Sequence, residues 1–443
     1  MKRLIFSIFL IIIGSPFPPN VRAQTALESG LFVIEQISIV NNSKTRAGVI
    51  YENLPYAVGD TLSEDAIHAG IERLQSMQFF NRITLQPRAG SEPGKLRLII
   101  DVKERYLPAL RFKGGYSEIS GWYITPLSLN MDNMFGRGNF LSLNLTYGDR
   151  VISLSLDHVN PNIFNSELDL HFRFFIRNHE FLHYIDDRKY KQNVPQAGYF
   201  LGFRSRNKVF RNFLFGLDYY VTTADSFFTD AGSKEKYEDL PQEIARYSYK
   251  PQDISAFSIY YDLDRRDQAL YPCRGWWIGV WFSQAYLRGD SSSSFSRLVL
   301  DVRKYQHLSN HFVLAARVKL GGISEKAPFY EKCYLGGPNS LRGYDDRSIG
   351  PAGGGEQLAQ AALELRFPIT TKRFPNHFLT GVLFIDSGAN TLAGEKFNEE
   401  TIKASYGFGF RFRLPFIKLL RMDFAYPIKG GEGMVQFSLG HTF

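Results

Sequence analysis

Beyond its N-terminal segment, the sequence has no uninterrupted apolar run of the roughly 18 residues expected of a membrane-crossing helix, so a helical membrane protein is excluded. It has only two cysteines in 443 residues, Cys273 and Cys333. They permit at most one disulfide, and without a CxxC spacing they encode neither a zinc ribbon nor a dithiol redox centre. There is no long basic run despite a formal net charge of +8, which argues against nucleic acid as a partner and leaves the scattered lysines and arginines for loops or a polar interior. GxSxG and P-loop spacings are missing as well. What is abundant is aromatic: 15% of the chain, with 38 Phe and 24 Tyr. Many aromatics without long apolar runs suit the alternating strands of an outer-membrane barrel, and they suit a soluble β-sandwich equally well.

Lys2 and Arg3 precede an apolar stretch over residues 4–13 that is broken only by Ser7, and Val21-Arg22-Ala23 precedes Gln24. A basic start, a short apolar centre and a small-residue site read as a secretory signal over residues 1–23. The remaining stretch of roughly 420 residues predicts two or three domains, or one large β architecture.

Residues 32–104 differ in pattern from the rest of the chain. Residues 32–40 read as a strand, a helix runs through Val49 and Ile50, and Asp60-Thr61-Leu62-Ser63 opens a second helix. Ala66, Ile67, Gly70, Ile71, Leu74 and Met77 then recur at three- and four-residue steps, which is one face of a helix. Strands at 81–85 and 95–104 complete a β-α-α-β-β order, a small α+β domain.

From residue 106 to 443 about sixteen strand-like segments occur, most near the ten residues that a tilted transmembrane strand requires. Leu141, Leu143, Leu145 and Tyr147 alternate with Ser142, Asn144 and Thr146. Val435, Phe437, Leu439, His441 and Phe443 alternate in the same way with Gln436, Ser438, Gly440 and Thr442. The long connections, near 179–195, 224–252, 322–357 and 388–403, all come after odd-numbered strands, whereas those after even-numbered strands are shorter. This asymmetry is expected of a bacterial outer-membrane barrel with short periplasmic turns and long outer loops. The fold predicted is a 16-stranded transmembrane antiparallel β-barrel behind a small N-terminal α+β domain.

Two short motifs carry the strongest signal. Leu341-Arg342-Gly343-Tyr344 lies in a Gly/Pro-rich loop, and Phe384, Asp386 and Gly388 close an apolar strand. A guanidinium in a narrow lumen loses hydration and needs a fixed anion, and its planar fork suits a carboxylate bidentately. Asp386 is the first choice of partner, with Asp267, Glu364 and Asp423 as alternatives. Gly343 and Gly388 allow close approach to the wall, and Tyr344 offers a ring and a hydroxyl.

With these motifs the chain resembles the superfamily that contains BamA, TamA, the mitochondrial Sam insertase and the two-partner-secretion transporters. That family shares an [LVI]RG[FY] loop motif and an FxDxG strand motif, placed on the sixth outer loop and the thirteenth strand, as they are here. Asp264, Arg266, Asp267, Pro272 and Gly275 match a D-x-R-D-x4-P-x2-G pattern that the family carries at a periplasmic turn. Phe443 resembles the terminal signal by which such barrels are themselves recognised for assembly. Residues 32–104 resemble a POTRA domain, the periplasmic module that binds polypeptides by strand addition. BamA carries five of these modules and this sequence has room for one, which leaves the client open.

The resemblance implies an outer-membrane assembly factor that inserts clients at the seam of its first and last strands, near Gly114-Gly115 and Gly430-Gly431. The alternative is a pore that secretes a specific partner. Either way the partners implied are outer-membrane lipids, unfolded outer-membrane or secreted polypeptides, and periplasmic chaperones or accessory lipoproteins. No cofactor and no bond-making chemistry are expected. One catalytic pattern does occur: His179-Glu180-Phe181-Leu182-His183 spells HExxH, which holds zinc when it is helical, but it is expected here in an outer loop with only Asp186 and Asp187 close by as a third ligand.

Overall fold

Leu96, Leu98, Ile100 and Val102 fall on one face of a strand and are buried together, so residues 95–104 form the centre of a small sheet. This is seen in a computed structural model of the chain. It describes residues 32–443 apart from 78, 106–108, 162, 164–167, 186–187, 206–208, 224–226, 230–250, 269–270, 289–292, 310, 372–373, 414–418 and 441–442. The segment read as a secretory signal lies outside the described residues. The chain divides into two compact units between Tyr106 and Leu107.

The first unit runs β1 (Phe32–Val40), α1 (Ala47–Tyr51), β2 (Thr61–Leu62), α2 (Glu64–Ser76), β3 (Phe80–Ala89) and β4 (Lys95–Glu104). The sheet order is β2-β1-β4-β3, with β1 and β4 parallel. The two-residue strand β2 is an addition to the expected order: Thr61 and Leu62 pair with β1, and the helix begins only at Ser63, whose side chain accepts from the Ala66 N–H. Ile34, Ile50, Leu74, Leu98 and Ile100 form the core. β3 is an edge strand, where its Pro87 costs no ladder bond.

Glu104 continues the buried face of β4 as a carboxylate. It accepts from Ser43 Oγ at 2.8 Å and from the backbone N–H groups of Lys44 and Thr45 at 2.7 and 2.5 Å, tying the end of β4 to the turn before α1. Burial pushes the Glu104 carboxyl up, but the donors from Thr45, Lys44 and Ser43 outweigh it and hold the group below its usual range.

The second unit is one closed antiparallel barrel of sixteen long strands. They are β5 (Ala109–Ser117), β6 (Gly121–Met134), β7 (Asn139–Gly148), β8 (Val151–Asn160), β9 (Leu168–Ile185), β10 (Arg188–Ser205), β11 (Phe213–Thr222), β13 (Gln252–Asp264), β14 (Gly275–Arg288), β15 (Ser293–Ser309), β16 (Phe312–Ile323), β17 (Gln357–Thr371), β18 (Phe374–Thr391), β19 (Lys403–Phe412), β20 (Leu420–Pro427) and β21 (Met434–Leu439). A three-residue strand, β12 (Phe227–Thr229), adds to β10. β21 neighbours β5 and closes the ring.

Alternation separates two environments. On β18, Leu383 and Ile385 stand 50% and 47% exposed, while Val382, Phe384 and Asp386 between and beside them are buried. Leu145, Ile176, Leu217, Leu320 and Phe437 extend the outer apolar belt, and Ser128, Asn130, Ser142, Asp301 and Gln360 line the interior.

Residues 179–195, expected as a long loop, are instead an extended hairpin: β9 and β10 pair continuously from Leu168↔Ser205 to Ile185↔Arg188. On β10 alternation continues through this segment, with Tyr190, Gln192, Val194 and Gln196 buried in turn, and β9 pairs along it, so the strands carry on past the length that a membrane requires. Gly430 and Gly431, expected to loosen the last strand, lie in the turn before β21.

Candidate functional site in the barrel lumen

The connection from β16 to β17, residues 324–356, folds into the barrel. Its entry is fixed by the bridges Cys333↔Gly355 and Leu335↔Ile349, and Leu335, Leu341, Ile349 and Leu358 pack together. A buried Lys332–Glu356 pair at 2.8 Å closes its base.

Arg342 reaches the inner face of β18. Its Nε and Nη2 donate to Asp386 Oδ2 and Oδ1 at 2.6 and 2.8 Å, the bidentate arrangement that a guanidinium fork favours. Its Nη1 donates to Glu364 Oε1 of β17 at 2.7 Å and lies 3.8 Å from Asp423 Oδ2 of β20. The guanidinium stacks on the Phe384 ring with its centre 3.5 Å away. Asp386 is therefore the partner, and Glu364 shares the arginine fully.

Asp267 does not take part. Its Oδ1 accepts from the N–H groups of Gln268 and Cys273 within the β13–β14 turn.

Around this pair the sequence brings further charges to the same layer because β17 to β20 each turn alternate residues inward. Arg366 donates to Glu364 Oε2 at 2.9 Å, and Arg411 donates to Asp423 Oδ1 at 2.6 Å. Arg421 Nε lies 3.1 Å from Asp423 Oδ2. Arg342, Arg411, Arg421, Glu364, Asp386 and Asp423 are all fully buried. Such an interior is tolerated only if each charge is paired, since an isolated buried ion costs several kcal/mol.

Gly343 comes next with φ +83°, and a Cβ there would stand 3.3 Å from Ala425 and 3.4 Å from Ser405. Its N–H donates to Gln436 Oε1 in β21, and Gln436 Nε2 donates back to the Tyr344 carbonyl. Tyr344 Oη donates to the Ala404 carbonyl. Leu341 is buried in the loop's own apolar cluster, and a Cβ on Gly388 would come within 2.8 Å of the Ala359 carbonyl oxygen.

A second arginine anchors the loop to the opposite wall. Arg347 has its guanidinium 3.5 Å from the Tyr334 ring centre and 4.3 Å from that of Phe181 on β9. No spacing motif marks this residue, and sequence reasoning missed it. No spacing or periodicity in the sequence would have pointed to it.

The other predicted residues are elsewhere. Asp264 holds Arg266 bidentately at 2.9 and 2.7 Å, and a Cβ on Gly275 would meet the Arg265 carbonyl oxygen at 2.1 Å, so the β13–β14 turn closes on itself. Pro272 and Cys273 line a cavity of about 360 Å³ beside it. Cys273 and Cys333 are both free, one in this turn and one in the lumen loop.

Phe443 does not continue the outward face of Val435 and Phe437. The chain leaves the sheet through Gly440, at φ +85°, and the Phe443 ring packs inside against Tyr305, Ala315 and Ala362.

HExxH falls on β9. His179 and His183 share its inner face but stand about 13 Å apart along an extended strand, too far to share an ion. His183 pairs with Gln192 at 3.0 Å, and Asp186 and Asp187 lie outside the described residues.

Two family models match the chain: the Omp85 superfamily domain over residues 133–443, and the surface antigen variable number repeat, a POTRA module, over residues 32–105. This chain belongs to the Omp85 superfamily. It is 24% identical over 93% of its length to the outer membrane protein assembly factor BamA of Nitratidesulfovibrio vulgaris, and 23% identical over 96% to that of Neisseria meningitidis serogroup B. It spans 51% and 59% of those proteins, roughly half of each. Among solved structures, Haemophilus ducreyi BamA lacking POTRA domains 1–3 superposes with a TM-score of 0.70 at 19% identity, covering 92% of this chain and 83% of that one. CdiB from Acinetobacter baumannii superposes at 0.56 and 13% identity, covering 93% and 74%. The Omp85 assignment makes the chain an outer-membrane β-barrel with a POTRA-like domain.

Proposed function

We propose that this Omp85 protein assembles outer-membrane proteins, inserting client strands at the seam between β5 and β21. The observation that carries the reading is the seam itself: β21 has six residues against the eight to eighteen of the other long strands, so it offers β5 a short partner. A short ladder is the cheapest place in a closed sheet to open, and the exposed edges can pair with an extended client.

In this reading the N-terminal domain stands in the periplasm and receives unfolded polypeptide along the free edge of β3. Periplasmic chaperones or accessory lipoproteins deliver or assist the client. In this reading the buried charges around Arg342 hold the loop in the lumen and break no bond, and the protein acts as an assembly factor and not as an enzyme. The BamA relatives support assembly, and the lower TM-score to CdiB gives secretion through the lumen less support.

The test is a disulfide between cysteines placed on β5 and β21. Locking the seam is expected to abolish assembly of a reporter barrel in proteoliposomes, with activity restored by reductant. Full activity in the oxidised protein would overturn the proposal.

A further inference from the structure

We infer that Asn339 is a positioning residue that ties the two seam strands to each other through the lumen loop. The inference rests on the β5–β21 seam being the working site.

Asn339 precedes Arg342 by three residues, and it touches four strands or their ends. Its backbone N–H donates to Glu118 Oε1, in the turn after β5, at 2.6 Å. Its side-chain Nδ2 donates to the Tyr116 carbonyl within β5 at 3.2 Å. Its Oδ1 accepts from Ser438 Oγ of β21 at 3.2 Å and from Arg421 Nη2 of β20 at 2.8 Å. Its carbonyl accepts from Arg317 Nη1 of β16 at 3.3 Å.

A carboxamide is the side chain that fits this position, because it presents a donor and an acceptor in one plane. Reversing the amide would set an N–H against the Arg421 donor, so the orientation is determined by its partners. An acid could keep only the β21 side of the contact, and an aliphatic residue neither side.

The neighbourhood is shaped for the same approach. Gly337 has φ +113°, and a Cβ there would lie 2.5 Å from Glu118 Cγ, so the loop reaches the end of β5 only with glycine at this point. Two residues beyond the Arg342 motif, Asp346 takes a second hold on the β5 side: Tyr116 Oη donates to it, and Arg150 Nη2 donates at 2.6 Å. On the β21 side, Gln436 exchanges its two bonds with Gly343 and Tyr344. The loop thus grips both seam strands, and among the described residues Asn339 is the one that does so with a single side chain. Opening the seam then requires the loop tip to let go of one strand, which couples the gate to the Arg342 lock.

The experiment is hydrogen exchange on the full chain in lipid nanodiscs, without client. Asn339→Leu removes both side-chain holds, keeps the backbone bonds to Glu118 and Arg317, and is expected to speed exchange about tenfold in 109–117 and in 434–439. Asn339→Asp keeps the acceptor for Ser438 and Arg421 but loses the donor and faces Glu118, so exchange rises in 109–117 while 434–439 stays near the native rate. Residues 275–309 are expected to be unchanged in both variants. Native exchange in both seam segments of Asn339→Leu would overturn the inference, and so would uniform acceleration around the barrel, which would make Asn339 a mere support of the fold. The readout involves no assembly activity. A seam-locked protein that remains active would therefore remove the insertion reading while leaving this result standing.

Discussion

The N-terminal unit and the barrel put charge in opposite places. In the small domain the largest fully buried side chains are Ile34, Ile50, Leu74, Leu98 and Ile100, and Glu104 is a buried carboxylate at their margin. In the barrel the largest fully buried side chains include Arg342, Arg411 and Arg421, while Leu383, Val435 and Phe437 stand half exposed on the outer wall. Both units are built from alternating strands, and alternation alone says only that two faces differ. Which face is apolar depends on where the apolar medium lies: inside the sheet layer of a water-soluble domain, outside the wall of a membrane barrel.

Four substitutions probe that inversion, from the largest effect to the smallest. Arg342→Leu gives the barrel centre the chemistry of the small domain's core, and it leaves Glu364, Asp386 and Asp423 short of a counter-charge. A loss of about 3–5 kcal/mol is expected, seen as a marked drop in the temperature at which the folded species disappears on unheated gels. An unchanged midpoint would mean that burial of charge here is incidental.

Leu383→Lys puts a charge on the belt, and it is expected to cost about 2–4 kcal/mol in a bilayer but far less in a loosely packed detergent micelle. Equal stability in both media would place Leu383 away from lipid.

Glu104→Gln tests the one carboxylate of the small domain that is buried among the described residues, at an expected cost of about 1–3 kcal/mol. Because its folded pKa is lowered, the native carboxylate's contribution is fully present above the ordinary carboxylate range, and it is lost as pH falls through the depressed value. Pulse proteolysis of the N-terminal unit in urea should therefore show the native protein converging on the variant at acid pH. A constant gap across pH would assign the effect to packing.

Arg173→Ala removes a more exposed pair with Asp157 on the open side of the lumen. It is expected to change stability by less than about 1 kcal/mol, within the scatter of the gel assay. A loss as large as that of Arg342 would show that the whole lumen, and not only the wall from β17 to β20, is electrostatically locked.

The strands were legible because a period of two persists whichever side is apolar, and the Arg342 site because two motifs fell at matching places in the barrel count. The hairpin over residues 168–205 was misread at its outer half, since β9 and β10 run on beyond membrane length and Pro195 resembles a strand end although it remains paired with Asn178. Phe443 was misread because one glycine, Gly440, reverses the outward course that alternation implies. Arg347 and Asn339 were invisible for a different reason: their partners lie far along the chain on other strands, and a loop's sequence does not record which wall it will touch.

The lumen loop and the wall around it also depend on each other. A ring that has closed cannot easily admit a segment whose arginine must arrive already matched to three carboxylates, because each charge would travel through a narrow mouth stripped of both water and partner. β21 lays Gln436 and Ser438 directly on this loop. The loop is thus a mandrel in form: one segment holds Arg342 against β17 and β18 and lays its tip on the C-terminal strand.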